Sequence, residues 1–201
     1  MVQRADPPLV LGFDTSAPHC TAALLRGDQI LAQSFEAHTR GQAERLMPML
    51  QEVLAEAGQT WSALTAIGVG IGPGNFTGIR IAVSAARGLA LGLKIPAVGV
   101  DGFDAREQQG HLAAIPAPRA QVYCRLLGQA PRLMPESEAS DAARSAGLVF
   151  APEASPATLA QRIAELAATR YPTCTTSPAP LYLRAADAAP ARDLPPQLID
   201  G

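Results

Sequence analysis

Apolar and polar positions along the first hundred residues change period several times, and each change marks an element. Residues 9–13 are an apolar strand candidate ending in Asp14-Thr15-Ser16; a turn at Ala17-Pro18-His19 leads to a second strand over 20–25. Gly27-Asp28 is another turn signal, and residues 29–35 alternate well enough for a third strand, so the chain opens as a three-stranded meander. From 42 to 57 the apolar positions Leu46, Met49, Leu50, Val53 and Leu54 recur at helical spacing, across Pro48, and Gly58 ends the run where C-terminal glycines are favoured. Residues 64–70 are almost wholly apolar, as suits a central strand covered on both faces. A glycine-rich loop follows, then a helix over 79–93 rich in small residues, then an apolar strand over 95–100. Strand, loop, helix and strand make a parallel crossover unit.

Beyond Gly102 the pattern weakens. Residues 114–118, 121–127 and 148–151 read as strands and 158–170 as a helix, which together suggest a second, thinner lobe. The stretch 172–201 is dense in proline and alanine, and Leu181-Tyr182-Leu183-Arg184 is its one ordered-looking piece. The expected division is a first lobe at 8–102, a smaller second lobe at 103–190 and a flexible tail at 191–201.

Composition sharpens this picture. With 201 residues, 48% hydrophobic and 17% charged, the chain has the balance of a soluble globular protein, and only 4% aromatics leaves its core to aliphatic and small side chains. The net charge of −2 argues against gripping nucleic acid alone, because that grip relies on clustered Lys and Arg. Cys20, Cys124 and Cys174 are far apart, and no charged, apolar and cleavage-site leader pattern opens the chain; a reduced cytoplasmic protein is the expectation. The longest apolar run, 79–93, is interrupted by Arg80, Arg87 and two glycines, so no membrane span is expected.

Candidate chemistry concentrates at the glycine loop, Gly72-Pro73-Gly74-Asn75-Phe76-Thr77-Gly78. Its backbone N–H groups and the helix it starts could face an anion or another chain's backbone, with Gly72, Gly74 and Gly78 allowing close approach. Thr77 is placed to cap the helix or to meet a phosphate. The loop is not a Walker motif, since no Lys-Ser or Lys-Thr follows, and its third glycine comes too late for the dinucleotide fingerprint. Asp101 stands where a ribose-binding acid would. Asp14-Thr15-Ser16 is either a phosphate-wrapping hairpin or a turn held by its own side chains. His19, His38 and His111 are isolated, which speaks against a zinc site, and no G-x-S-x-G elbow marks a nucleophile. The small-residue helix over 79–93 is either buried in its own domain or an interface helix.

Taken together, Leu11-Gly12-Phe13-Asp14-Thr15-Ser16, Arg45-Leu46-Met47-Pro48, the glycine loop with Ile79-Arg80-Ile81, and Gly88-Leu89-Ala90 resemble the TsaB (YeaZ) family. That family groups with actin and sugar kinases in the two-lobed ribonuclease-H-like class. Pro180-Leu181-Tyr182-Leu183-Arg184 is similar to the family's Pro-x-Tyr-Leu-Arg. The sequence departs from the family at Gln42, where a histidine is usual, at Asn75, where a serine is usual, and at Pro116-Ala117-Pro118-Arg119, where the family tends to carry Asp-Ala-Arg. The change at Gln42 removes a candidate metal ligand.

The resemblance implies an α/β actin-like fold with a shortened second lobe. It implies a non-catalytic scaffold, without cofactor or metal of its own, in the tRNA threonylcarbamoyladenosine machinery. The implied partners are the transferase TsaD and the ATPase TsaE, with tRNA met only through the complex and a homodimer when TsaD is absent. By the same resemblance Leu46, Met49, Leu50, Val53, Ile79 and Val83 are the interface candidates, and Asp14, Thr15, Gly72, Gly74, Thr77 and Gly78 the candidate nucleotide-binding residues. The competing expectations are a glycoprotease-like metallopeptidase and a stand-alone nucleotide-binding ATPase.

Overall fold

The computed structural model describes residues 6–126, 128–151 and 156–183. The opening meander is present: β1 (Leu9–Asp14) pairs antiparallel with β2 (His19–Arg26), which pairs antiparallel with β3 (Gln29–Ala37). α1 (Gln42–Glu56) then leads to β4 (Ala66–Gly70), which lies parallel to β1 on its other side. α2 (Phe76–Leu93) crosses over to β5 (Ala97–Val100), parallel to β4, giving a five-stranded sheet in the order β3-β2-β1-β4-β5.

The alternation of side chains along β1 explains why every residue of it is buried. Leu9, Leu11 and Phe13 face a core shared with Leu46, Met49, Leu50, Val53 and Leu54 of α1 and with Ala82 and Ala86 of α2. Val10 faces the opposite core, with Leu159, Ile163, Ala164 and Ala167 of α4 (Pro156–Arg170). Two strand glycines let α4 come this close. A Cβ on Gly12 would lie 2.6 Å from the Ala160 carbonyl oxygen, and one on Gly68 would lie 2.8 Å from Ala167 Cβ. Sequence reading put this helix with the second lobe; it packs instead on the first sheet, whose buried face would otherwise lie open to water.

The second lobe is a four-stranded sheet in the order β8-β7-β6-β9, from β6 (His111–Ala117), β7 (Gln121–Cys124), β8 (Arg132–Pro135) and β9 (Val149–Ala151). α3 (Glu136–Ser145) covers one face, packing Ala139 and Ala143 on Leu112, Ala114, Val122, Cys124 and Met134. Sequence periodicity missed β8 and α3, a four-residue strand and a ten-residue helix that buries little besides alanine. The layered α/β architecture has the expected two sheets, with the smaller one in the second lobe. Arg184 of the Leu-Tyr-Leu-Arg stretch, the end of the strand expected at 121–127 and the tail 191–201 lie outside the described residues.

α2 starts at Phe76 rather than Ile79, and its 18 residues are long and apolar enough by length and composition to cross a membrane, although Arg80, Arg87 and two glycines interrupt the run. One side, Gly78, Ile79, Ala82, Val83 and Ala86, is buried in the fold, so the helix serves as a layer on the first sheet.

Candidate functional site

The C-terminal ends of the parallel strands β1, β4 and β5 lie side by side on the first sheet, the place where ligands settle in open parallel sheets. At the end of β1, Asp14 is buried, and one oxygen of its carboxylate takes three contacts: the Ser16 N–H at 2.9 Å, the Ser16 hydroxyl at 2.9 Å and His19 Nε2 at 3.0 Å. Burial pushes the Asp14 pKa up, but the hydrogen bond and charge of His19 and the two Ser16 donors outweigh it and hold the group below the usual aspartate range. The turn is therefore stabilised by its own side chains, the blander of the two readings of Asp14-Thr15-Ser16.

The glycine loop is docked on that turn. Asn75 N–H donates to the Ser16 carbonyl at 2.6 Å, and the Thr15 hydroxyl donates to the Gly78 carbonyl at 2.7 Å. A Cβ on Gly74 would stand 2.2 Å from the Ser16 oxygen, and one on Gly78 would stand 1.9 Å from the Thr15 oxygen. At these two positions only glycine leaves room for the chain's own carbonyls to come this close. Thr77 is not the cap: Asn75 holds that position, its side-chain oxygen accepting the Gly78 N–H at 2.8 Å, while Thr77 sits exposed inside the first turn. Gly72 is tied differently, its carbonyl accepting from Gly102 N–H at 2.8 Å.

Sequence reasoning missed two residues that organise this region. Gln42, read only as a lost metal ligand, donates through Nε2 to the carbonyls of Thr15 at 3.2 Å, Ala17 at 2.6 Å and His19 at 2.8 Å, so α1 holds the turn. Arg106, which had no motif around it, is half-buried just after β5; one guanidinium nitrogen donates to Gly102 O at 3.0 Å, and its buried Nε has no partner among the described residues. Burial lowers its pKa, and the charge of Asp14 acts in the opposite direction. Asp101 is not free for a ribose: it accepts the N–H groups of Phe103 and Asp104, both at 2.9 Å, and lies 3.4 Å from Arg125. No cluster of three or more metal-ligating side chains occurs among the described residues.

The six residues expected at a partner interface are placed elsewhere. Leu46, Met49, Leu50, Val53, Ile79 and Val83 are all buried within the chain, because the apolar stripe of each helix is what the first sheet requires. What these helices expose is the opposite face. Leu91 is 82% exposed and Met47 41%, Ser84 and Arg87 are exposed, and Cβ atoms on Gly88 and Gly92 would meet nothing within 4 Å. Beside Leu91 a cavity of about 490 Å³ opens between Arg87, Ile95, Cys174 and Thr175. The small-residue helix is thus buried along one side, as the first of the two alternatives had it, and exposed along the other.

Comparison with known proteins finds relatives of one kind. The family model described as TsaD, tRNA N6-adenosine threonylcarbamoyltransferase, matches residues 29–124. The tRNA threonylcarbamoyladenosine biosynthesis protein TsaB of Escherichia coli is 35% identical over 122 residues, covering 57% of this chain and 52% of that protein. TsaB of Haemophilus influenzae is 33% identical over 123 residues, covering 57% and 51%. The chain matches about half the length of these curated relatives. Among solved structures, an uncharacterized protein from Pseudomonas aeruginosa with similarity to peptidase YEAZ superposes with a TM-score of 0.69 at 27% identity, covering 88% of this chain and 100% of that one. YeaZ from Pseudomonas aeruginosa gives 0.62 at 27% identity, covering 81% and 93%. In first-lobe sequence and in fold, the chain is similar to the TsaB (YeaZ) proteins.

Proposed function

We propose that this chain is an accessory subunit in the biosynthesis of tRNA threonylcarbamoyladenosine, working by docking rather than by catalysis. The observation that carries the reading is the open face of α2. An 18-residue apolar helix that buries only one side, with Leu91 82% exposed and two glycines without neighbours, offers another helix a close approach. The partner we assign to this face is a TsaD-type transferase, with TsaE joining the assembled pair and tRNA reached through the complex. In the partner's absence a second copy of the chain would use the same face.

The packing of the loop supports the non-catalytic part of the reading, because the Ser16 and Thr15 carbonyls stand close against Gly74 and Gly78. Asp14, Thr15, Gly72, Gly74, Thr77 and Gly78 are therefore assigned to building the turn and launching α2, ahead of nucleotide binding.

Co-purification with the TsaD of the same organism tests the docking face, followed by reconstituted tRNA modification. Leu91→Asp, at an exposed position, should keep the fold by circular dichroism and lose at least about tenfold in affinity, about 1.4 kcal/mol. Unchanged capture of TsaD by a folded Leu91→Asp chain would remove this face from the interface.

A further inference from the structure

The segment after α4 returns across the molecule and touches both lobes. Pro178 is buried, its Cβ 3.3 Å from the position a Cβ on Gly99 of β5 would take. Leu181 N–H donates to the Ile71 carbonyl at 2.7 Å, and the Leu181 carbonyl oxygen lies 3.0 Å from where a Gly72 Cβ would stand, so the segment crosses the root of the glycine loop.

Successive side chains then go to different lobes. Leu181 and Leu183 pack with Phe103, Ile115 and Tyr123, joining the cluster of second-lobe side chains separate from the one under α3. Tyr182, between them, meets the first turn of α2. Its ring lies 4.7 Å from that of Phe76, its hydroxyl accepts from Arg80 Nε at 3.1 Å, and the Arg80 guanidinium sits 4.1 Å over the Phe76 ring. Arg80 itself has no contact with the second sheet in any of these interactions.

We propose that residues 178–183 form a strap that couples the second lobe to the N-terminal turn of α2, so that the lobe and the helix shift together. Whatever loads α2 pulls on Tyr182, and the leucines on either side carry the displacement into the second sheet. The proposal concerns this chain alone and stands whether or not α2 meets a transferase.

Hydrogen exchange followed by mass spectrometry on the full chain tests it, using Tyr182→Ala and Arg80→Gln. Tyr182→Ala should raise exchange about tenfold at 71–78 and in β6 and β7 together. Arg80→Gln, at an exposed position, should leave the fold intact and still speed exchange in β6, about two- to threefold, although Arg80 does not touch that strand. Faster exchange confined to 178–183 and α2 in Arg80→Gln, with β6 at the parent rate, would overturn the coupling even if Tyr182→Ala failed to fold.

Discussion

Adding one methyl group to Gly12 tests how closely α4 rides on the first sheet. The new Cβ would lie 2.6 Å from both the Ala160 oxygen and the Ala164 nitrogen and 2.8 Å from the Ala164 Cβ. Two of these three atoms are backbone, so no side-chain rotation relieves the clash, and the helix must withdraw by about 0.8 Å to restore ordinary contact. Leu159, Ala160, Ile163, Ala164 and Ala167, all nearly inaccessible, would loosen with it. Overpacking of this kind costs about 1–3 kcal/mol. The stiffer unfolded chain offsets about 0.4–1 kcal/mol, leaving a net loss of about 1.3 kcal/mol and a melting point lowered by about 3–5 °C for a chain of this size. Gly88→Ala is the matched control. It sits on the exposed side of α2 with nothing within 4 Å, and there the same change should stabilise by about 0.5–1 kcal/mol. Thermal unfolding followed by circular dichroism reads both variants. If Gly12→Ala melts within about 1 °C of the parent, the close seating of α4 is wrong.

Two further outcomes follow from the capping and the charges. Asn75→Ala should lose about 1 kcal/mol in urea unfolding, with Thr77→Ala within about 0.5 kcal/mol of the parent, because Asn75 accepts the Gly78 N–H; the reverse order would restore Thr77 as the cap. Glu36 is held down to about 2 by the Arg45 hydrogen bond and then by His38. Its folded pKa lies below the unfolded one, so its stabilisation is full above the unfolded glutamate value and fades as pH falls toward about 2. Its side chain is 35% exposed, so solvent screening keeps the effect below about 1 kcal/mol. Glu36→Gln should therefore lose stability at about pH 6 and match the parent near about pH 2; an equal deficit at both would break the assignment.

Helices were legible in the sequence where their buried stripe was aliphatic, as in Leu46, Met49, Leu50 and Val53. The same legibility misled the interface assignment. Hydrophobic periodicity identifies the side of a helix that must leave water, and a helix on a sheet usually satisfies that need within its own chain. Leu91, Gly88 and Gly92 were readable as letters but not as an exposed face, because exposure depends on what fails to arrive. Nor could spacing alone reveal that Gln42 reaches three carbonyls 23 to 27 residues away in sequence.

The sequence by itself determined the first lobe: alternation set the meander, the apolar run at 64–70 set a doubly covered strand, and the glycine loop marked a crossover. These are local patterns, written in the residues that carry them. Only the tertiary structure decided that α4 belongs to the first sheet, that the glycines of the loop admit Thr15 and Ser16 carbonyls, and that Leu181, Tyr182 and Leu183 divide between two lobes. Each of these depends on which distant backbone comes within about 3 Å of a given atom, and the sequence pattern holds no record of that distance.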